Sequence, residues 1–210
     1  MGGLSSTEQS ATERATSEPM LDQVLAWAAV NSGSRNLAGL GTVAGMLGDV
    51  FAALPGELAL SAPTPVDAID AAGNPLQLDH GRNLHLRVRP DAPVQLLLTG
   101  HMDTVFDAEH PFQRTDWLED GVLGGPGVAD MKGGIAVMLA ALKAVEASSA
   151  ALSLGYEIVI NSDEEVGSPA SSALIAAARK RPWMTGLASP KANSPMPWAS
   201  WCCGAGRPTS

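Results

Sequence analysis

Two apolar runs, VQLLLTG at 94–100 and YEIVINS at 156–162, constrain the fold more than anything else in the chain. Each is long enough for one strand, each is followed by a polar cluster, and the segment between them, IAVMLAALKAVEA, has strong helical propensity. A further helix is expected near 168–180. Strand, loop, helix, strand, loop, helix is the order of an α/β fold in which connections cross over a sheet. The leucines at 96–98 show no polar alternation, so this strand is expected in the centre of the sheet, covered on both faces.

Upstream, MLDQVLAWAAVNS and NLAGLGTVAGMLGDVFAAL repeat apolar residues every three or four positions and predict two amphipathic helices, broken by SGSR at 32–35. Segments 66–71 and 84–89 alternate apolar and polar residues. They read as half-buried strands forming an antiparallel pair.

Composition removes several alternatives. With 210 residues, 45% hydrophobic and 17% charged, the chain has the make-up of a globular protein, and its net charge of -9 has the wrong sign for a nucleic-acid binder. The longest apolar stretch, GIAVMLAAL at 134–142, is too short to span a bilayer. Residues 1–19 are polar, lack a secretory h-region and read as a disordered lead-in; MGGLSS meets a loose myristoylation pattern that arises easily by chance. The two cysteines, Cys202 and Cys203, offer neither a disulfide framework nor a metal-type spacing, and a reducing cytoplasm is the expected location.

Chemistry concentrates in GHMDTVF (100–106), GVADMKGG (127–134) and NSDEEVGS (161–168), which follow strands or precede a helix, where open α/β sheets bind ligands. In an extended chain His101 and Asp103 point to the same face. A carboxylate there can hold one ring nitrogen and leave the other to a metal. Taken alone, a surface pair is the plainer reading of such a His-x-Asp. Asp130 sits in a glycine-dense loop at the mouth of a helix, where a helix N-cap is the plainer reading. The third glycine of a dinucleotide fingerprint is absent, and Lys132 does not complete a phosphate-binding loop. Asp163, Glu164 and Glu165 repel one another unless solvated or relieved by a cation. Three polar clusters at equivalent places favour the cation.

TGHMDTV, GPGVADMKGG and DEEVGS, in this order and with helical crossovers placed between and after them, resemble the acetylornithine deacetylase, succinyl-diaminopimelate desuccinylase and carboxypeptidase G family of dinuclear zinc hydrolases. The resemblance covers roughly residues 20–180. It implies a zinc-peptidase-like α/β catalytic domain with a mostly parallel or mixed sheet flanked by helices. It further implies two Zn2+ ions, or Co2+ or Mn2+ in their place. By the same resemblance His101 binds one ion, Asp130 bridges both, Glu165 binds the other, Asp103 orients His101, and Glu164 is the general base. It also implies a cis peptide at Asp130–Met131. The implied substrate is a peptide or N-acyl amino acid, with no nucleic-acid or membrane partner.

The sequence also departs from that family. A later acidic ligand and a late histidine are expected, whereas the last acidic residue here is Glu165 and the last histidine His110. The lid and dimerisation domain, with its dimer surface, is expected to be absent. All 22 acidic and 8 of the 13 basic residues precede position 166, and the closing segment RPWMTGLASPKANSPMPWASWCCGAGRPTS holds three of five Trp and five of fifteen Pro. The expected organisation is therefore a disordered 1–19, the N-terminal half of a catalytic domain at 20–181, and an unrelated, disordered tail at 182–210 produced by a reading-frame change near 179–182. On that expectation metal is held weakly. The alternative to an impaired amide hydrolase is an inactive fragment that associates with a full-length relative.

Overall fold

Within residues 4–179, which the computed structural model describes, the order of elements is α1 (Ser6–Thr16), α2 (Met20–Ala28), α3 (Leu37–Phe51), β1 (Glu57–Ser61), β2 (Val66–Ile69), β3 (Pro75–Leu78), β4 (Asn83–Val88), β5 (Val94–His101), β6 (Asp116–Glu119), β7 (Val122–Gly124), α4 (Gly133–Glu146), β8 (Leu154–Asn161) and α5 (Ser172–Arg179). The tail expected at 182–210, with its two cysteines, lies outside the described residues. No described helix is long and apolar enough to cross a membrane.

Four strands form a mixed sheet in the order β1-β4-β8-β5, antiparallel except for β8 with β5. The parallel pair is joined through α4, the crossover expected from the sequence. Leu40, Val43, Leu47 and Phe51 recur at helical spacing on α3, and Ile135, Leu139 and Leu142 on α4. With Leu84, Leu86 and Val88 of β4 and Tyr156, Ile158 and Ile160 of β8 they make one core. Each such Leu, Ile or Phe contributes roughly 1.5–3 kcal/mol by leaving water. The other face of β8 buries Val159 and Glu157, the latter bonded to His85 across the strands at 2.7 Å.

Three expectations are corrected. Residues 6–16 are a helix rather than a disordered segment. Ser5 Oγ accepts from the Glu8 N–H and the Glu8 carboxylate accepts from the Ser5 N–H, a reciprocal cap that S-x-x-E encodes locally, while no residue of α1 is buried. Composition alone hid it. The Glu18 carboxylate, just beyond the helix, takes a 2.7 Å bond from Lys143 of α4.

The strands at 66–71 and 84–89 do not pair. β2 pairs with β3 around a turn in which Asp70 Oδ1 accepts from the N–H groups of Ala72 and Asn74, and β4 pairs with β1 and β8. Alternation marks a strand as half-buried without naming its neighbour. Last, among the described residues β5 stands at an edge of the sheet rather than in its centre, with Val94 and Leu96 exposed; β8 is the strand buried on both faces.

The register carries the site. His101 of β5 lies opposite Asn161 of β8, so the loops after both parallel strands leave the same end of the sheet. At the other end, Arg89 donates to the Leu154 carbonyl and both oxygens of Glu146, and the Tyr156 hydroxyl donates to Glu146 at 2.9 Å.

Candidate metal centre

Beyond β5 the backbone is pinned on two sides: the Met102 N–H donates to the Asn161 carbonyl at 2.8 Å, and Thr104 exchanges backbone bonds with Ser32 and Ser34. This closes the 31–36 loop over the strand end and leaves Asp103 only 1% exposed. Its carboxylate is fully used. Oδ1 accepts from the Glu164 N–H at 3.1 Å, and Oδ2 accepts from the Glu165 N–H at 3.1 Å and the Ser34 hydroxyl at 2.7 Å.

His101 is 5% exposed. Its Nδ1 is 3.1 Å from the Asp103 carbonyl oxygen and 3.3 Å from Asp103 Oδ1. Both partners accept only, so Nδ1 carries a proton, and Nε2, turned to the carboxylates, would coordinate a metal on giving up its own. That Nε2 stands 2.9 Å from Asp130 Oδ1 and 3.9 Å from Glu164 Oε2. Asp130 lies in a kinked turn, Val128–Lys132, entered through Gly127 at φ 72°, where a Cβ would meet the Thr104 methyl at 2.9 Å. Its side chain, 77% exposed, caps no helix, and the Asp130–Met131 peptide is cis, as the resemblance implied.

Metal-capable atoms of His101, Asp130 and Glu165 all lie within 4.8 Å of one another. The structure thus brings together the three residues that the resemblance implies as ligands, with Asp103 beneath His101 and Glu164 at the rim. Asp163, whose repulsion with Glu164 and Glu165 was expected to be relieved by solvent or a cation, is relieved in another way. It is wholly buried and turned inward, accepting from Ala170 N–H at 2.6 Å, Ser171 N–H at 3.2 Å and the Asn161 amide at 3.1 Å. A carboxylate so satisfied by donors needs no ion.

The imidazole and the carboxylates around it shift one another. Burial works against a charged His101, yet hydrogen bonds to Asp103 and Asp130 and the charge of Glu164 outweigh it and raise the imidazole to about 9. Asp103, despite its burial, is held below the usual carboxylate range by His101, Ser34 and the Glu165 N–H. Glu165 is pushed up, first by burial and then by Asp130, Asp103 and Glu164, with His101 opposing. One imidazole and two carboxylates make a donor set suited to zinc, and to cobalt or manganese.

Lys132, which sequence reasoning weighed only as a phosphate ligand, has another place. It is 1% exposed, pushed down to about 8 by burial, and donates to the carbonyls of Trp27 and Val30 at 3.0 and 3.3 Å, tying the Asp130 turn to the end of α2. Ser34 was read only as part of a helix break. No local pattern announces its bond to Asp103, 69 residues away.

Residues 97–193 match the sequence profile of peptidase family M20/M25/M40. The chain is 40% identical over 81 residues to succinyl-diaminopimelate desuccinylase 2 of Shewanella loihica, covering 36% of this chain and 21% of that protein. It is 36% identical over 99 residues to carboxypeptidase G2 of Pseudomonas sp. strain RS-16, covering 45% of this chain and 23% of that one. The match thus spans about a fifth of the length of these relatives. In fold the chain is similar to human carnosine dipeptidase 1, with a TM-score of 0.65 and 18% identity over 86% of this chain and 39% of that one. The M20 family metallo-carboxypeptidase Sso-CP2 of Sulfolobus solfataricus gives 0.60 and 17%, over 79% and 36%.

Proposed function

We propose that this chain, whose residues 97–193 match the profile of peptidase family M20/M25/M40, serves metal-dependent hydrolysis of an amide bond in a peptide or N-acyl amino acid. The observation that carries the reading is the convergence of His101, Asp130 and Glu165 within 4.8 Å, with the imidazole fixed by Asp103 so that Nε2 faces the carboxylates. His101, Asp130 and Glu165 are the proposed ligands, and Asp130, on the loop before α4, would be the one shared if two ions were held. Zinc bound there supplies Lewis acidity for the amide carbonyl and lowers the pKa of water toward neutrality.

The protein's own part is positional and protolytic. Asp103 holds His101 in one tautomer and fixes the backbone of Glu164 and Glu165. Glu164, its side chain 53% exposed beside the three ligands, is the proposed general base: it accepts a proton from the attacking water and returns it to the leaving amine. Glu164→Gln keeps the shape and removes the basicity. Assayed on a set of N-acyl amino acids and dipeptides, the zinc-supplemented chain is expected to release amine, and the variant to lose about 100-fold or more in kcat while retaining bound zinc. Hydrolysis that survives the substitution or exhaustive chelation would remove this reading.

A further inference from the structure

We infer that Arg35, held in place by His80, is the anion-recognition side of this site and receives a carboxylate carried by the substrate beside its scissile amide. The inference rests on the hydrolase reading above and assigns it a recognition residue.

Arg35 follows Ser34, whose hydroxyl is bonded to Asp103 under the ligand cluster. Its Nη1 lies 3.2 Å from Nε2 of His80, a residue 7% exposed whose Nδ1 is 3.0 Å from the Leu78 carbonyl oxygen. A carbonyl only accepts, so Nδ1 carries the ring proton and Nε2 presents a lone pair. A guanidinium only donates, and it fills that lone pair. The buried imidazole therefore fixes the direction of an exposed arginine.

That bond to His80 is the hydrogen bond Arg35 makes among the described residues, which leaves four of a guanidinium's five N–H donors to an incoming group. Arg35 shares a cleft of about 210 Å3 with Ser34, Thr104, Val105, Asp107 and Glu165. Glu165 belongs to the ligand cluster, so the cleft has hydrolytic machinery at one side and a fixed cation at another. The acidic residues in it do not pair with Arg35: Asp107 Oδ1 accepts from the Glu109 N–H, and Glu165 is given over to the cluster. A space of this size takes a small carboxylate-bearing fragment rather than a long chain. Planar bidentate recognition of carboxylate is what a guanidinium does best.

The carboxylate can belong to the amine side or the acyl side of the amide, and the probes separate the two. The full chain, both zinc-loaded and EDTA-treated, is titrated calorimetrically with N-acetylglycine, with succinamate and with the neutral N-acetylglycinamide. At least one acid is expected to bind about tenfold more tightly than the neutral amide. Arg35→Ala is expected to remove that preference without changing affinity for the neutral probe, and His80→Phe to weaken it severalfold through loss of orientation. Arg35→Lys keeps the charge, loses the fork, and is expected to recover only part of the preference, which serves as the readout if the alanine variant folds poorly. Equal acid affinity in wild type and the Arg35 variants, or no preference for either acid in wild type, would overturn the inference. Zinc content is measured separately, so a chain that binds no zinc counts against the hydrolase reading, while the EDTA-treated titration still decides Arg35.

Discussion

The backbone N–H of Glu165 donates to Oδ2 of Asp103 at 3.1 Å, and through this bond the loop after β8 is fastened to the loop after β5. The same carboxylate takes the Glu164 N–H and the Ser34 hydroxyl and faces the His101 ring. Asp103→Ala leaves several buried donors without an acceptor at once, at about 1–3 kcal/mol for each unsatisfied group. The expected loss is about 2–5 kcal/mol of unfolding free energy by urea titration of the EDTA-treated protein. A fall of about 10–100-fold in zinc affinity should accompany it, as for other groups that orient ligands. Unchanged stability would show that Asp103 does not join the two loops.

Gly33 makes the close approach that brings Ser34 under Asp103. A Cβ built there would stand 2.4 Å from the Phe106 carbonyl oxygen and 3.0 Å from the Asp107 Cα, both backbone atoms with little freedom to yield. Gly33→Ala is expected to cost about 1–3 kcal/mol and to weaken zinc binding as the 31–36 loop moves away from the strand end. Gly41, on the exposed side of α3 with nothing within 4 Å of its Cβ position, is the control. There alanine is expected to stabilise by about 0.5–1 kcal/mol, because helical glycine pays more backbone entropy.

What could be read in advance divides along physical lines. His101, Asp103, Asp130, Glu164 and Glu165 were legible because strand ends, a glycine-dense turn and a run of like charges are local patterns, and three in order carry joint weight. α3 was legible from its 3.6-residue period and α4 from its helical propensity. Pairing was not, since the alternation in 66–69 and 84–88 is satisfied by any neighbour of the right face. The β6–β7 hairpin had a signal in Asp120-Gly121, a turn pair whose glycine sits at φ 77°, but its exposed strands lack an apolar face to mark them. The charge of Asp163 is visible in sequence, whereas the N–H groups of Ala170 and Ser171 that satisfy it are not. Ser34, Arg35, His80 and Lys132 all act through partners distant in the chain, where no short pattern reaches.

β5 has one strand neighbour among the described residues and shows Val94 and Leu96 to solvent, 43% and 39% exposed. An open edge with apolar side chains is a template for pairing with another chain. Leu96→Lys is expected to reduce concentration-dependent self-association in sedimentation runs, with thermal stability changed by less than about 1 kcal/mol because the side chain is already half in water. If association persists unchanged, the β5 edge is not its cause.

Tyr156 is the single tyrosine of the chain, so its ionisation can be followed in the phenolate band without interference. Burial raises its pKa, the Glu146 carboxylate that its hydroxyl bonds raises it further, and Arg89 acts in the opposite sense; the net direction is upward from 10. In the unfolded chain the phenol loses its proton near pH 10, whereas the folded chain still holds it. Above that pH the native state binds more protons than the unfolded one, so stability contributed by Tyr156 is complete below pH 10 and declines as pH rises toward the folded value. Two titrations check this: in urea the phenolate should appear near pH 10, and in the native protein only at distinctly higher pH, with a break where the fold opens. Tyr156→Phe is expected to cost about 1 kcal/mol at neutral pH, through the lost bond to Glu146, and to flatten the alkaline decline. A native titration that overlays the one in urea would mean that the Arg89–Glu146–Tyr156 cluster does not close the far end of the sheet.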